Sequence, residues 1–285
     1  MSKFSFAFND TTKWLYIEDA YLASQFAKKF KKALEIGVYK GGWLISVKEN
    51  NQHLEITGID PYPNMIEIRK QFLDEIYIRN FSNKTHLFSN WTEFKNFHSA
   101  RELFDLIHID GEHSESGVFK DLNESIKFWN ESGLIIVDDI FSRPHPGVTS
   151  AVFKFLSEKK LAPFLLTNKK LYICDTSFYK FYYDESKRLL NVMGIKYQED
   201  LNSLNEIYHQ SNSIFGKNIL IKLIENNRLE QWRISKNLEV KYPYSLQIKN
   251  LIFLILPPIN LSVLKWIKFK FIKVLKNLKS NSVFK

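Results

Sequence analysis

The sequence predicts an α/β fold: a mostly parallel sheet with helices on both faces, closed by an antiparallel hairpin. Three observations predict it. Short apolar runs of strand length alternate with stretches of helical spacing over the first 176 residues. The runs are near-continuously apolar, as strands buried on both faces are. Phe164-Leu165-Leu166 and Leu171-Tyr172-Ile173 flank Asn168-Lys169-Lys170, the pattern of a hairpin.

The elements follow in order. Residues 13–32 carry Trp14, Leu15, Ala20, Leu22, Phe26 and Phe30 at helical spacing. Ala33-Leu34-Glu35-Ile36-Gly37 is a short buried strand ending in glycine, and Gly41-Gly42-Trp43 opens the next helix. Leu54–Asp60 is a second strand, closed by Asp60-Pro61. A helix spans 64–79, and His86-Leu87-Phe88 is a weak third strand. Phe104–Asp110 is the fourth strand, ended by Gly111, and its apolar pattern turns His108 into the sheet. Val118, Phe119, Leu122, Ile126 and Trp129 place a helix over 115–130. Leu134–Asp139 is the fifth strand, followed by a helix over 147–159. Beyond Asp175 the pattern weakens. Residues 177–240 form an accessory region with helical fragments at Lys187–Met193 and Ile219–Arg228, a mainly helical extension. Residues 241–285 are a separate basic tail.

Composition narrows the function. A length of 285 residues supports a catalytic domain with an appendage. One cysteine, Cys174, excludes an internal disulfide framework and a cysteine-based zinc site. It fits a reducing compartment. With no apolar signal region at the N-terminus and no run of about 18 apolar residues, the expected location is cytoplasmic. The net charge of +9 sits in the tail, where nine lysines and no acid lie between Lys241 and Lys285. The first 240 residues hold 31 basic and 31 acidic side chains. A neutral body argues against a nucleic-acid partner, which needs a basic patch around the site.

Glycine is scarce, at 10 residues, yet three stand together at Gly37, Gly41 and Gly42. That cluster has a backbone reason. The stretch Glu35-Ile36-Gly37-Val38-Tyr39-Lys40-Gly41 is an acid followed by G-x-x-x-G between strand and helix. Asp60 ends the next strand. In open α/β sheets, ligands bind outside the carboxyl ends of the strands. A pyrophosphate would be repelled by Glu35, whereas a ligand with a nucleoside and a cation would not.

Glu35–Gly42, Asp60 and the strand order resemble class I S-adenosylmethionine-dependent methyltransferases. The resemblance covers residues 10–176. It implies a Rossmann-like, seven-stranded sheet and S-adenosylmethionine (SAM) as cofactor. It places Glu35, Gly37 and Gly41 beside the methionine part and Asp60 on the ribose hydroxyls. It puts Ser89, Asn90 and Trp91 near adenine, and Asp110 at the cofactor's edge. Trp43 departs from the small hydroxyl residue that relatives often carry there.

Ile107-His108-Ile109-Asp110-Gly111-Glu112-His113 and Ile136-Val137-Asp138-Asp139 place three carboxylates at neighbouring strand ends. Adjacent strands lie about 4.8 Å apart. Such crowding needs a cation or shared protons, and oxygen ligands favour Mg²⁺ first. Capping of the following turn is the other reading of Asp138 and Asp139. The arrangement resembles metal-dependent sugar O-methyltransferases of the macrocin and novobiocin type. That resemblance implies Asp110, Asp138 and Asp139 as metal ligands and Asp110 as general base. His113 is the alternative base, since a histidine titrates near neutrality. Arg143 and His145 lie in a loop expected over the acceptor. Nucleic-acid and amine methyltransferases usually carry an Asp/Asn-Pro-Pro-Tyr motif where this chain has Asp110-Gly111-Glu112-His113, so an oxygen acceptor is favoured.

In the tail, Val263, Leu264, Ile267, Phe271, Val274, Leu275 and Leu278 fall on one helical face, with Lys265, Lys268, Lys273, Lys276 and Lys279 opposite. Such a helix suits an anionic membrane surface, giving peripheral contact through 250–280. It equally suits packing on its own body or on a second copy in a homo-oligomer. The expected function is transfer of a methyl group to a hydroxyl of a sugar or glycan, a small-molecule or glycan acceptor. The alternative is a non-catalytic nucleoside-binding module docked through the tail.

Overall fold

The computed structural model describes residues 4–7, 15–98, 102–195, 197–198, 213–215, 217–222 and 239–241. All of them lie in one compact unit, residues 1–241. In chain order the first elements are β1 (Ser5–Ala7), α1 (Ile17–Phe26), β2 (Lys32–Ile36), α2 (Gly42–Asn50) and β3 (Glu55–Ile59). Next come α3 (Ile66–Ile78), β4 (Thr85–Phe88), α4 (Trp91–Phe97), β5 (Phe104–Ile109) and α5 (Glu115–Ser125). Then follow β6 (Trp129–Val137), α6 (Pro146–Ser157), β7 (Leu161–Leu166), β8 (Leu171–Asp175) and α7 (Tyr179–Met193). The last are short strands: β9 (Tyr197–Gln198), β10 (Ser213–Ile214), β11 (Lys217–Asn218), β12 (Leu220–Lys222) and β13 (Glu239–Lys241).

The main sheet runs β4-β3-β2-β5-β6-β8-β7-β12-β9. Its first seven strands are the expected mostly parallel sheet, with β8 antiparallel to both β6 and β7. It extends further than the seven strands expected. β12 pairs parallel with β7 through Leu220↔Leu165 and Ile221↔Leu166, and β9 pairs antiparallel with β12. Where a helix is expected over Ile219–Arg228, Leu220–Lys222 is a strand instead, and residues 223–228 lie outside the described residues. Ile219 and Leu220 are buried, covering the apolar edge that β7 would otherwise leave open.

Two other boundaries move. The first helix stops at Phe26 and passes through a 3-10 turn into extended backbone at Phe30. The helix expected to reach residue 130 ends at Ser125, and Trp129 already belongs to β6. Among the described residues no helix is long and apolar enough to cross a membrane. Apart from Lys241, which ends β13, the basic tail lies outside the described residues.

Two apolar layers hold the helices on the sheet. On one face Leu22 and Phe26 of α1, Leu44 and Val47 of α2, Phe72 of α3 and Leu189 and Leu190 of α7 share a core with Ala33, Ile56 and Leu106. On the other, Phe94 of α4, Val118 and Leu122 of α5 and Val152 and Phe155 of α6 pack on Leu34, Ile107 and Ile135. Full burial of such a side chain contributes about 1.5–3 kcal/mol. The register does the rest. Ile36 pairs with Ile109, and Ile109 with Val137, so β2, β5 and β6 end level with one another.

Candidate active site

The level strand ends open into a cleft of 1020 Å³. Glu35, Gly37, Asp60, Ser89, Asn90, Trp91, Asp110, His113, Asp138 and Asp139 all line it. Gly41 does not. It caps α2 in the left-handed region at φ 71, and the space where its side chain would be is filled by the Phe72 ring. Gly42 and Trp43 line the cleft in its place.

Gly37 has the closest approach. At φ 82 it turns the chain out of β2, and a Cβ there would stand 2.0 Å from the Asp110 carbonyl oxygen. Its N–H donates to Ile59 O at 2.9 Å, and Asp110 N–H to Ile36 O at 2.8 Å, carrying the sheet one residue past its formal end. Asp60 then pins the loop. Its Oδ2 accepts from Tyr39 N–H at 2.8 Å and its Oδ1 from Tyr62 N–H at 2.7 Å. At the third strand end, Asn90 Oδ1 caps α4, accepting from Thr92 and Glu93 N–H at 3.0 Å each. Trp91 Nε1 donates to Asp121 Oδ1 at 2.9 Å.

Beneath this rim lies a buried polar chain. Lys170 Nζ donates to Asp138 Oδ2 and to His108 Nε2, the latter at 2.8 Å. The second contact makes Nε2 the acceptor, so Nδ1 carries the proton and donates to Glu35 Oε1 at 2.8 Å. Trp43 stacks on the His108 ring at 4.4 Å. Burial and Lys170 push the His108 pKa well down, so the ring is neutral. Burial and Asp110 push Glu35 well up. Glu35 Oε2 is buried without a hydrogen-bond partner. Asp19 of α1, fully buried, reaches the same region and is raised to about 7 by burial and Glu18.

The chemistry-bearing pair faces the cleft. Asp110 is raised to about 6, by burial and by Asp138. His113 is raised to about 10 by Asp110 and Asp139. Its Nε2 lies 3.2 Å from Asp139 Oδ2 and 3.8 Å from Asp110 Oδ1. That corrects the reading of His113 as a near-neutral base: between two carboxylates the ring is an imidazolium and has no lone pair to offer at neutral pH. His145 stacks on it at 4.1 Å, while Arg143 is exposed and outside the cleft.

The donor sets decide which groups fit. For SAM they fit: the glycine turn admits a close ligand, Asp60 stands at the rim for hydroxyls, and the unpartnered Glu35 oxygen suits a cation. For Mg²⁺ on Asp110, Asp138 and Asp139 they do not. Among the described residues, the ligand atoms that gather within 4.8 Å are those of His108, Asp110 and Asp138 in one set and of His113, Asp139 and His145 in another. Asp138 already holds the Lys170 ammonium. Asp139 Oδ1 accepts from Lys169 at 2.8 Å, and His113 and Lys169 hold its carboxyl far below the usual range. The crowding is relieved by protein cations.

Sequence reasoning missed Lys170, His108 and Asp19. Lys170 follows from the strand register, which the sequence alone does not display. β8 runs antiparallel to β6 with Val137 opposite Leu171, so the preceding residue meets Asp138.

A family model described as a methyltransferase domain matches residues 34–140. An uncharacterized protein of Acanthamoeba polyphaga mimivirus is 27% identical over 148 residues, covering 48% of this chain and 64% of that protein. The match thus spans less than two thirds of that relative. Among solved structures, a putative O-methyltransferase from Klebsiella pneumoniae is 14% identical, covering 57% of this chain and 82% of its own, with a TM-score of 0.47. An SAH-bound methyltransferase of Podospora anserina is 16% identical, covering 60% and 90%, with a TM-score of 0.47. The family match thus falls on residues 34–140, the stretch whose strand order and strand-end residues resemble class I, SAM-dependent methyltransferases.

Proposed function

We propose that this chain is a SAM-dependent O-methyltransferase whose acceptor is a hydroxyl of a sugar or glycan. One observation carries it: the Gly37 loop with Asp60, and the Asp110–His113 pair, open into the same cleft. A nucleoside-binding module would use the first and have no task for the second. SAM would supply an electrophilic methyl group there. Asp60 would hold ribose hydroxyls, Glu35 the methionine end, and Ser89, Asn90 and Trp91 the base. Asp110 accepts the acceptor's hydroxyl proton, and His113 beside it stabilises the carboxylate form. The sugar class rests on the resemblance of the Ile109-Asp110-Gly111 and Asp138-Asp139 stretches to sugar O-methyltransferases. Divalent-metal assistance, implied by the same resemblance, forms no part of the proposal.

Calorimetry tests the cofactor half. SAM or its homocysteine product binds the purified protein, and Asp60→Ala weakens binding by about 1–3 kcal/mol, the cost of leaving buried polar groups unpaired. Folded protein that binds neither ligand would end the reading. Tritiated methyl transfer to a panel of glycans tests the acceptor half.

The tail is proposed as a peripheral membrane contact, supported by its sequence alone. Each lysine near an anionic surface contributes about 1 kcal/mol, screened by salt. Full-length protein is expected to sediment with phosphatidylserine vesicles at low ionic strength and release at high. Replacing Lys265, Lys268, Lys273, Lys276 and Lys279 with glutamine is expected to abolish that. Unchanged sedimentation would remove the membrane role.

A further inference from the structure

The three carboxylates at the ends of β5 and β6 demand positive charge; Lys169 and His113 meet Asp139, and the buried Lys170 meets Asp138. β8 is the strand that runs against its neighbours in the seven-stranded part of the sheet. Its direction brings the hairpin residue just before Leu171 to the carboxyl edge of the parallel strands, opposite Asp138. Lys170 arrives there with its side chain only 4% exposed. Its ammonium donates to Asp138 and to His108. Those two residues, with Asp110, are also a set whose ligand atoms lie within 4.8 Å of one another. The ammonium is thus bonded to two of the three members of a ready ligand set.

We infer that Lys170 is the resident cation of this acidic site, standing where a divalent ion would otherwise bind, and that it positions Asp138 and His108 around the methyl-transfer cleft. Two half-buried carboxylates crowded together without a counter-ion repel one another. An ammonium tethered by its own backbone meets that need at no cost in free metal. It also fixes the His108 tautomer, and through it the Glu35 carboxyl. The role in methyl transfer rests on the function proposed above; the ligand set and its occupant do not.

Metal binding is the test, because it is read without SAM or acceptor. Manganese is the probe, since one imidazole and two carboxylates suit it. Titrated with Mn²⁺ and followed by calorimetry and electron paramagnetic resonance, the wild-type chain is expected to show no saturable site. Dialysis against a chelator is expected to leave its methyl transfer unchanged. Lys170→Ala empties the set, and the variant is expected to bind one Mn²⁺. Asp138→Asn added to that variant is expected to remove the binding. Methyl transfer by Lys170→Ala is expected to fall about 10–100-fold, the range for losing a group that orients site residues, and to recover in part with Mn²⁺. A merely structural lysine would not convert the site to a metal site. Stoichiometric Mn²⁺ binding by the wild type that Asp138→Asn removes would overturn the inference. So would a folded Lys170→Ala chain that gains no Mn²⁺. If Lys170→Ala fails to fold, refolding with Mn²⁺ is the second measurement. Recovery of folded protein supports the inference, and failure with the ion present overturns it.

Discussion

Asp110→Asn is expected to lower kcat/KM for methyl transfer by about 10²–10⁴, the usual contribution of a positioned general base. The amide keeps the shape of the side chain and cannot take the hydroxyl proton. His113→Gln is expected to cost less, and to act differently. Asp110 works only when ionised, so activity rises with pH through its pKa of about 6 and is lost below it. His113 is among the groups that lower that pKa, against the larger raising effects of burial and Asp138. Removing it must therefore move the acid limb of the kcat/KM profile to higher pH. The profile also separates the two candidate bases. A histidine base at about 10 would give a rise in activity only in strongly alkaline buffer. If His113→Gln proves more damaging than Asp110→Asn and leaves the acid limb where it was, the proton goes to the imidazole instead.

The difference between these two residues shows where sequence stopped informing. Asp110 was legible because a six-residue apolar strand ends on it, and strand ends at a parallel sheet's carboxyl edge are where ligands sit. Glu35, Asp60 and Asp138 were legible for the same reason. Protonation was not, because it depends on what arrives from elsewhere in the chain. His113 reads as a neutral-range histidine until Asp139, 26 positions on, is seen beside it. Lys170 is the sharper case. Asn168-Lys169-Lys170 reads as the turn of a hairpin, with no role given to either lysine. Lys169, with half its side chain exposed, still reaches the cleft and donates to Asp139. Its neighbour is buried because successive residues at the start of a strand point to opposite sides. The pairing register, which a single sequence does not display, decides which of the two is buried there. β12 escaped for a related reason, since a strand of three residues carries no periodicity of its own.

Gly37 carries the second large effect, and it is one of geometry alone. Gly37→Ala is expected to destabilise the protein by about 3 kcal/mol or more. A non-glycine residue in a sparsely populated backbone region costs about 1–3 kcal/mol by itself. Here φ is 82, and the added Cβ would stand 2.0 Å from the Asp110 carbonyl oxygen and 2.6 Å from Gly111 Cα. Neither is the end of a flexible side chain. The clash can be relieved only by parting β2 from β5, two strands at the centre of the sheet. For a domain of this size, 1 kcal/mol corresponds to about 2–4 °C in Tm, so a fall of about 6–12 °C is expected by differential scanning calorimetry. Because the displaced atoms belong to Asp110 itself, SAM affinity and methyl transfer should fall with it, even well below the new Tm. Gly111→Ala is the matched control. Its Cβ would meet the Asp121 carboxylate tip at 3.0 Å and the Ile36 side chain at 3.1 Å, neighbours that yield by a small rotation. That variant should lose far less stability, within about 1 kcal/mol, as ordinary surface-to-boundary changes do. Equal losses from the two alanines would mean that general crowding at the strand ends, and not the Gly37 turn, limits this site.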